Sequence, residues 1–311
     1  MALFSVIIPL YNKGEYIKRT LESVVSQTVK DIEIIVVDDG STDDGGSIVI
    51  GFSDPRIVLI QQRNAGASAA RNRGVEHARS DFLAFLDADD EWLPKHLEIL
   101  LRLRHKFPEA GAYASAYKII EPDGKVRMAH YRAIPKEPWE GLLPNFFRSA
   151  AMGDSPINCS VMGIPTNIFG EIGGFPEGYW WGEDADVWGK IALKYPIAFT
   201  WEVGAMYHWD RTNRLCTRVS TEQEPFFITV DRAKERGEID PEILPDLHEY
   251  LVRKRLYQAI CLTACGKPRD ARKVLIECNT RLFFWRKTLL LIVTFFPMKI
   301  SKFLILQLFF V

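Results

Sequence analysis

The sequence lacks the long apolar run that a helical membrane crossing demands. Spanning takes about twenty mainly apolar residues. The most apolar stretch, Phe283–Val311, is broken by Arg286, Lys287, Lys299 and Lys302 and divided by Pro297. Its longest uncharged runs, Thr288–Met298 and Phe303–Val311, hold 11 and 9 residues. Cysteine is also scarce. Cys159, Cys216, Cys261, Cys265 and Cys278 are odd in number and irregularly spaced, which suits a reduced compartment rather than a disulfide framework. Cys261 and Cys265 are four apart and read as two small core-facing thiols on one helix. The N-terminal Met-Ala-Leu-Phe-Ser-Val has no basic n-region, so no signal peptide is expected. No Gly-x-x-x-x-Gly-Lys-Ser/Thr loop, no Gly-x-Gly-x-x-Gly after the first strand and no Gly-x-Ser-x-Gly elbow occurs, which argues against a P-loop, a dinucleotide fingerprint and a serine hydrolase.

What is present is an ordinary globular composition, 47% apolar and 25% charged, in 311 residues. The formal net charge is −1, which argues against nucleic acid as a dominant partner. That balance is unevenly spread. From Tyr250 onward twelve basic residues face only Asp270 and Glu277. The tail therefore carries +10 and the first 249 residues −11, so the two ends of the chain are expected to face different surroundings.

The first hundred residues alternate strand and helix patterns. FSVIIP from Phe4, IEIIVV from Ile32, IVLI from Ile57 and FLAFL from Phe82 are continuous apolar strands. Between them, Ile17, Leu21, Val24 and Val25 share one helical face, and Gly66–Ala78 is alanine-rich with helical spacing. Pro94 opens a further helix to about Lys106. Such strands and helices imply an α/β fold, with a parallel sheet covered on both faces. Beyond residue 110 the pattern loosens, and extended strands and loops are expected up to Asn167. A helix follows from Glu183 to Lys194, and Glu222–Gly266 reads as helical.

Two acidic clusters close two of these strands, Asp38-Asp39 and Asp87-Ala88-Asp89-Asp90. Ligands of parallel sheets bind at the carboxyl ends of the strands, so both clusters should share one rim. Asp38-Asp39-Gly-Ser is also turn chemistry. In Asp87-Ala-Asp89 one carboxylate can hold Mg²⁺ or Mn²⁺ while the other reaches a ribose or a metal-bound water. Glu183-Asp184 opens a helix, where acids suit the dipole or supply a general base beside Trp180, Trp181 and Trp188. His208 is a third metal ligand or simply a packed side chain.

Taken in this order, SVIIPLYN (Ser5–Asn12), IVVDDGSTD (Ile35–Asp43), NAGASAARNRG (Asn64–Gly74), FLDADD (Phe85–Asp90) and GEDADVW (Gly182–Trp188) resemble the family-2 glycosyltransferases of GT-A fold. The resemblance covers roughly residues 3–215. It implies a Rossmann-like, mostly parallel sheet flanked by helices, with a helical C-terminal extension. It also implies an inverting transfer from a nucleoside-diphosphate sugar, usually a UDP-sugar. Pro9, Tyr11 and Asp39 would surround the base, Arg71 would reach base or diphosphate, and Asp87 would contact the ribose. Asp89 would bind Mn²⁺ or Mg²⁺, with His208 completing the metal site. Asp184 would be the base, with Glu183 and Trp181 on the acceptor side and Arg214 clamping the diphosphate.

The expected organisation is a catalytic domain over 1–220, with a nucleotide half 1–110 and an acceptor half 111–220. A helical extension over 221–280 follows, then an apolar basic segment over 281–311. No Gln/Arg-x-x-Arg-Trp motif of the processive synthases is found, so one sugar per acceptor is expected. A polyprenyl-phosphate sugar synthase is secondary, because Glu91 stands where those enzymes tend to carry Gln. A catalytically inactive nucleotide- or carbohydrate-binding module is the non-enzymatic alternative. The basic tail is expected to lie on the cytoplasmic face of a membrane, peripheral or monotopic, near a glycan or lipid-linked acceptor. The sequence does not fix an oligomeric state.

Overall fold

The structure, a computed structural model, describes residues 2–209 and 223–309, which fall into two compact units on either side of residues 210–222. Arg214 and Cys216 lie outside the described residues.

The first unit runs β1 (Phe4–Leu10), α1 (Gly14–Val25), β2 (Ile32–Asp38), α2 (Gly45–Ile50), β3 (Ile57–Gln61), α3 (Ala67–Glu76), β4 (Phe82–Phe85), β5 (Glu91–Trp92) and α4 (His96–Lys106). It continues with β6 (Ala112–Ile120), β7 (Val126–Met128), β8 (Glu140–Leu142), α5 (Phe146–Met152), β9 (Met162–Pro165), α6 (Thr166–Glu171), α7 (Glu183–Lys194) and β10 (Ile197–His208). One sheet carries the strands in the order β3-β2-β1-β4-β9-β6-β10-β5, with β7 on β6 and β8 on β10. The β3-β2-β1-β4 half is parallel throughout. Beyond it β9 runs antiparallel to both β4 and β6, while β6 and β10 are parallel to each other.

The continuous apolar strands follow from this layering. Val6, Ile7, Ile8, Val36, Leu83 and Phe85 are all fully buried, because helices cover both faces of these central strands, whereas the edge strand β3 leaves Val58 45% exposed. Burying each such side chain is worth about 1.5–3 kcal/mol. Helix α3 lies so close to β1 that a Cβ on Gly74 would stand 2.5 Å from Ile7 Cγ2. Because β1, β2 and β4 are parallel and adjacent, the acidic clusters that end β2 and follow β4 share one rim.

The segment up to Asn167 holds more helix than the expected strands and loops. Helix α5 is capped by Asn145, whose side chain accepts from the Arg148 amide at 3.0 Å, and a 3-10 turn over Cys159–Val161 is capped by Asn158.

The second unit comprises α8 (Pro225–Glu235), α9 (Leu244–Ala264), α10 (Pro268–Glu277), α11 (Phe284–Val293) and α12 (Met298–Phe309). The helix read over Glu222–Gly266 is two helices, interrupted around Gly237, which takes φ +66°. Val252, Leu256, Ala259 and Ile260 of α9 pack with Ala271 and Leu275 of α10, Leu290 and Val293 of α11, and Ile305 of α12. Cys261 is buried but Cys265 is exposed, so the two thiols do not both face the core; α9 ends at Ala264 and Cys265 lies just past it. Among the described residues no helix is long and apolar enough to cross a membrane.

Candidate active site

Three clusters occupy the rim. The first surrounds Asp39, which is 2% exposed. Its Oδ1 accepts from Gln62 Nε2 at 2.7 Å and from the Ala65 amide at 2.8 Å, and its Oδ2 from the Gly66 amide at 2.8 Å. The carboxylate thus fixes the loop that leads into α3, the helix carrying Arg71. Asp38 accepts from the Ser41 amide at 2.9 Å. The turn is tied to the loop after β1: the Asn12 amide donates to Ser41 Oγ at 3.0 Å, and the Thr42 amide donates to Asn12 Oδ1 at 2.8 Å. Pro9, beside Val37 in the ladder, and the exposed Tyr11 lie at the same end of the sheet.

The second cluster is centred on Arg71, whose side chain is 6% exposed. Its Nη2 donates to Asp87 Oδ1 at 2.8 Å, and its Nη1 stands 3.5 Å from Glu183 Oε1. The guanidinium carbon lies 5.1 Å from the Phe175 ring centroid. Nε and Nη1 are buried without hydrogen-bond partners, an arrangement that costs free energy unless an acceptor fills it. One guanidinium therefore joins the end of β4 to the start of α7.

That helix begins after Gly182, which takes φ +73°, a value disfavoured for residues with a Cβ. Glu183 faces inward. Burial, then the charge of Asp184, push its carboxyl up to about 7, against the opposing pull of Arg71. Asp184 is half-buried and accepts from the Ala185 amide at 2.6 Å. Trp180 and Trp181 pack at a tilt, with ring centroids 6.4 Å apart. Burial raises the Cys159 thiol well above its ordinary range, which keeps it neutral beside this cluster.

The third cluster holds Asp89, whose Oδ2 pairs with Lys13 Nζ at 2.7 Å. Arg19 Nη2 donates to the Asp89 carbonyl at 2.7 Å, and Arg19 Nε lies 3.1 Å from Glu91 Oε1. Glu91 Oε1 is also 2.5 Å from His208 Nε2. Burial and the nearby Arg19 lower the His208 pKa against the pull of Glu91 and Asp89, favouring the neutral imidazole that ligates metals. Asp90, fully buried, accepts from Ser160 Oγ at 2.6 Å and from the His208 amide at 2.9 Å.

Among the described residues no three His, Cys, Asp or Glu side chains gather as a metal-binding group. The donor set nevertheless fits Mn²⁺ or Mg²⁺. Such ions are commonly held by one or two carboxylates together with substrate phosphates. Asp89 already stabilises a cation, the Lys13 ammonium, in a pair of which only 14% and 10% is exposed.

The structure thus brings Arg71, Asp87, Glu183 and Asp184 into one constellation, and links Asp89 to His208 through Arg19 and Glu91. Sequence reasoning missed Lys13, Arg19, Asp90 and Ser160. Asp90 was visible as the last acid of Asp-Ala-Asp-Asp; the others carry no local signal.

Comparison with known proteins follows the same outline. The profile of glycosyl transferase family 2 matches residues 5–161. The chain is 41% identical over 123 residues to "Glycosyltransferase GlyA" of Streptococcus pneumoniae serotype 4, covering 39% of this chain and 18% of that protein. It is 46% identical over 101 residues to the uncharacterized glycosyltransferase YibD of Escherichia coli K12, covering 32% of this chain and 29% of that protein. The chain thus spans less than a third of the length of these curated relatives. Among solved structures, S. aureus TarS 1-349 in complex with UDP-GlcNAc superposes with a TM-score of 0.67 at 19% identity, over 99% of this chain and 92% of that one. The mannosyltransferase PcManGT of Pyrobaculum calidifontis, in complex with GDP-Man and Mn²⁺, gives 0.63 at 18% identity, over 97% and 83%. At these identities the fold is what is shared.

Proposed function

Because the chain belongs to glycosyl transferase family 2 and has the GT-A fold, we propose that it moves one sugar, with inversion, from a nucleoside-diphosphate sugar to an acceptor hydroxyl. The observation that carries this reading is the Arg71 constellation. A buried guanidinium with two unsatisfied nitrogens bridges Asp87, on the donor rim, to Glu183, next to Asp184.

In the proposed reaction Asp184 accepts the proton of an acceptor hydroxyl. That oxygen forms the new bond to the anomeric carbon as the bond to the diphosphate oxygen breaks. Pro9, Tyr11 and Asp39 border the base, Asp87 meets the ribose, and Arg71 faces the charge of the departing diphosphate. A divalent ion held by Asp89, with His208 nearby, would neutralise the same charge as a Lewis acid. UDP is the favoured nucleotide and a lipid-linked glycan the favoured acceptor. Release of nucleoside diphosphate from a panel of UDP-sugars, with Mn²⁺ and membrane lipid extract as acceptor, tests the reading; no release from any donor would overturn it. Asp89→Ala should abolish the Mn²⁺-dependent part of UDP binding in calorimetry, and undiminished Mn²⁺ dependence would remove Asp89 from the metal site.

The second unit supports a reading as a membrane-docking module. Helices α11 and α12 and the turn between them bury Leu290, Val293 and Ile305 yet leave Trp285 80%, Phe295 70% and Phe303 61% exposed, beside the exposed Arg286, Lys299 and Lys302. Aromatic residues interleaved with lysines suit the headgroup region of an anionic leaflet, where each basic residue adds about 1 kcal/mol. Truncation before α11 would strip the α9–α10 core, so point variants give the cleaner test. The full chain should float with phosphatidylglycerol-containing vesicles. Trp285→Ser with Phe295→Ser should lose most of that flotation at unchanged thermal stability. Equal flotation would refute docking through this face.

A further inference from the structure

A second aromatic surface lies at the other end of β10, away from the catalytic rim. There β8 pairs antiparallel with β10, Glu140 facing Thr200, and the Trp201 amide donates to the Trp139 carbonyl at 3.2 Å. Extending that register by one residue sets Trp139 directly opposite Trp201, with both side chains on one face. Both rings are fixed. Trp201 donates its indole N–H to the Pro135 carbonyl at 2.8 Å and packs edge-on against Tyr131 at 5.3 Å. Trp139 lies over Gly141, where a Cβ would approach the ring to 2.6 Å.

These two tryptophans line a shallow, solvent-open depression of about 420 Å³ together with Arg102, Glu137, Glu140 and Glu202. Arg102 is already held by Glu140 and Glu202, each at 2.8 Å. Among the described residues the Trp139 indole N–H and the exposed Glu137 carboxylate have no protein hydrogen-bond partner. The lining thus offers two indole surfaces, one donor and one acceptor, with three carboxylates beside Arg102 and beside Lys106, which reaches Glu140 at 3.2 Å. Both cations are already held by carboxylates, which leaves no open cationic site for phosphates, nucleotides or anionic lipids. It suits a neutral ring with an apolar C–H face and hydroxyl edges, which can stack on indole and donate to a carboxylate.

Thr200 sits near the start of the β6–β10 ladder and His208 at its end. Eight residues of strand place the two roughly 25 Å apart. We propose that this groove is a binding site for a neutral oligosaccharide, separate from the catalytic rim, which holds a remote part of the glycan the enzyme works on. Occupancy requires no turnover, so the site stands or falls apart from the choice of base at Asp184.

The test is calorimetric titration of the full chain with cellohexaose, chitohexaose, maltohexaose and mannohexaose, with UDP and Mn²⁺ saturating so that the catalytic rim is occupied. At least one of the four should bind. Trp139→Ala should weaken it about tenfold, the loss expected for one aromatic stacking contact, and Glu137→Gln should weaken it less; both variants should bind UDP as before. Both residues are partly exposed, so neither substitution opens the core. Binding of none of the four, binding that UDP abolishes, binding indifferent to Trp139→Ala, or binding of choline without any hexasaccharide would each overturn the proposal.

Discussion

Asp184→Asn should lower turnover about 10²–10⁴-fold, the range for loss of a positioned general base, while leaving UDP affinity within about twofold of its original value. The substitution is nearly isosteric. Its amide oxygen can still accept from the Ala185 N–H that Asp184 Oδ1 accepts at 2.6 Å, so the first turn of α7 should keep its shape. What is lost is the lone pair that takes the acceptor proton. Nucleoside-diphosphate release gives the rate and calorimetry gives the affinity. Turnover at the original rate would remove Asp184 from the chemistry.

The neighbouring carboxylate supplies the control. Glu183 is buried, and burial first, then Asp184, push its carboxyl up to about 7. Such a group is stabilised in its protonated form by folding. Its contribution to stability is complete below about 4.5, its unfolded value, and is lost as pH rises through about 7. Near neutrality Glu183 is therefore partly protonated, and Arg71 limits the cost of its charge. Glu183→Gln reproduces the protonated form and should cost far less turnover than Asp184→Asn. A larger loss from Glu183→Gln would exchange the roles of the two acids.

Much of this division was legible beforehand. Unbroken apolar strands fix the parallel half because both faces are covered, and a strand's end is a place on the rim whatever the loops do. Asp39, Asp87 and Asp89 could therefore be placed on the rim without coordinates, whereas Glu183-Asp184 was readable only as the start of a helix. Partnership could not. Lys13 meets Asp89 at a sequence separation of 76 and Ser160 meets Asp90 at one of 70, and no local periodicity records a contact of that separation. Asp39 shows the same limit. Its position at the end of β2 was readable, but not that both oxygens hold the 62–66 loop. In the tail, composition located the aromatic and basic residues. Which of them face outward depends on how α11 and α12 settle on α9 and α10, and so only the fold distinguishes Leu290 from Trp285.

Asp90→Ala should destabilise the first unit by about 2–5 kcal/mol, because it leaves the His208 amide and the Ser160 hydroxyl buried without their acceptor, at about 1–3 kcal/mol each. Asp90 is fully buried. Its Oδ2 accepts from Ser160 at 2.6 Å and its Oδ1 from His208 at 2.9 Å. Its backbone is held as well: the amide donates to the Asp87 carbonyl at 3.0 Å, and the carbonyl accepts from Thr20 Oγ1 at 2.8 Å. The side chain thus ties the acidic loop after β4 to the 3-10 turn and to the end of β10, which fixes where Asp87 and Asp89 sit. At roughly 2–4 °C per kcal/mol for a unit of this size, thermal unfolding should move down by about 5–15 °C. Asp90→Asn, which keeps one acceptor oxygen, should lose about half as much. The adjacent Asp89→Ala should lower the midpoint less: it breaks a 2.7 Å pair with Lys13 of which 14% and 10% is exposed, but the freed ammonium can swing toward solvent on its flexible stem. Equal midpoints for Asp90→Ala and Asp89→Ala would contradict the structural role assigned to Asp90. A large loss in the first and a small one in the second would separate two neighbouring acids into one that builds the site and one that works in it.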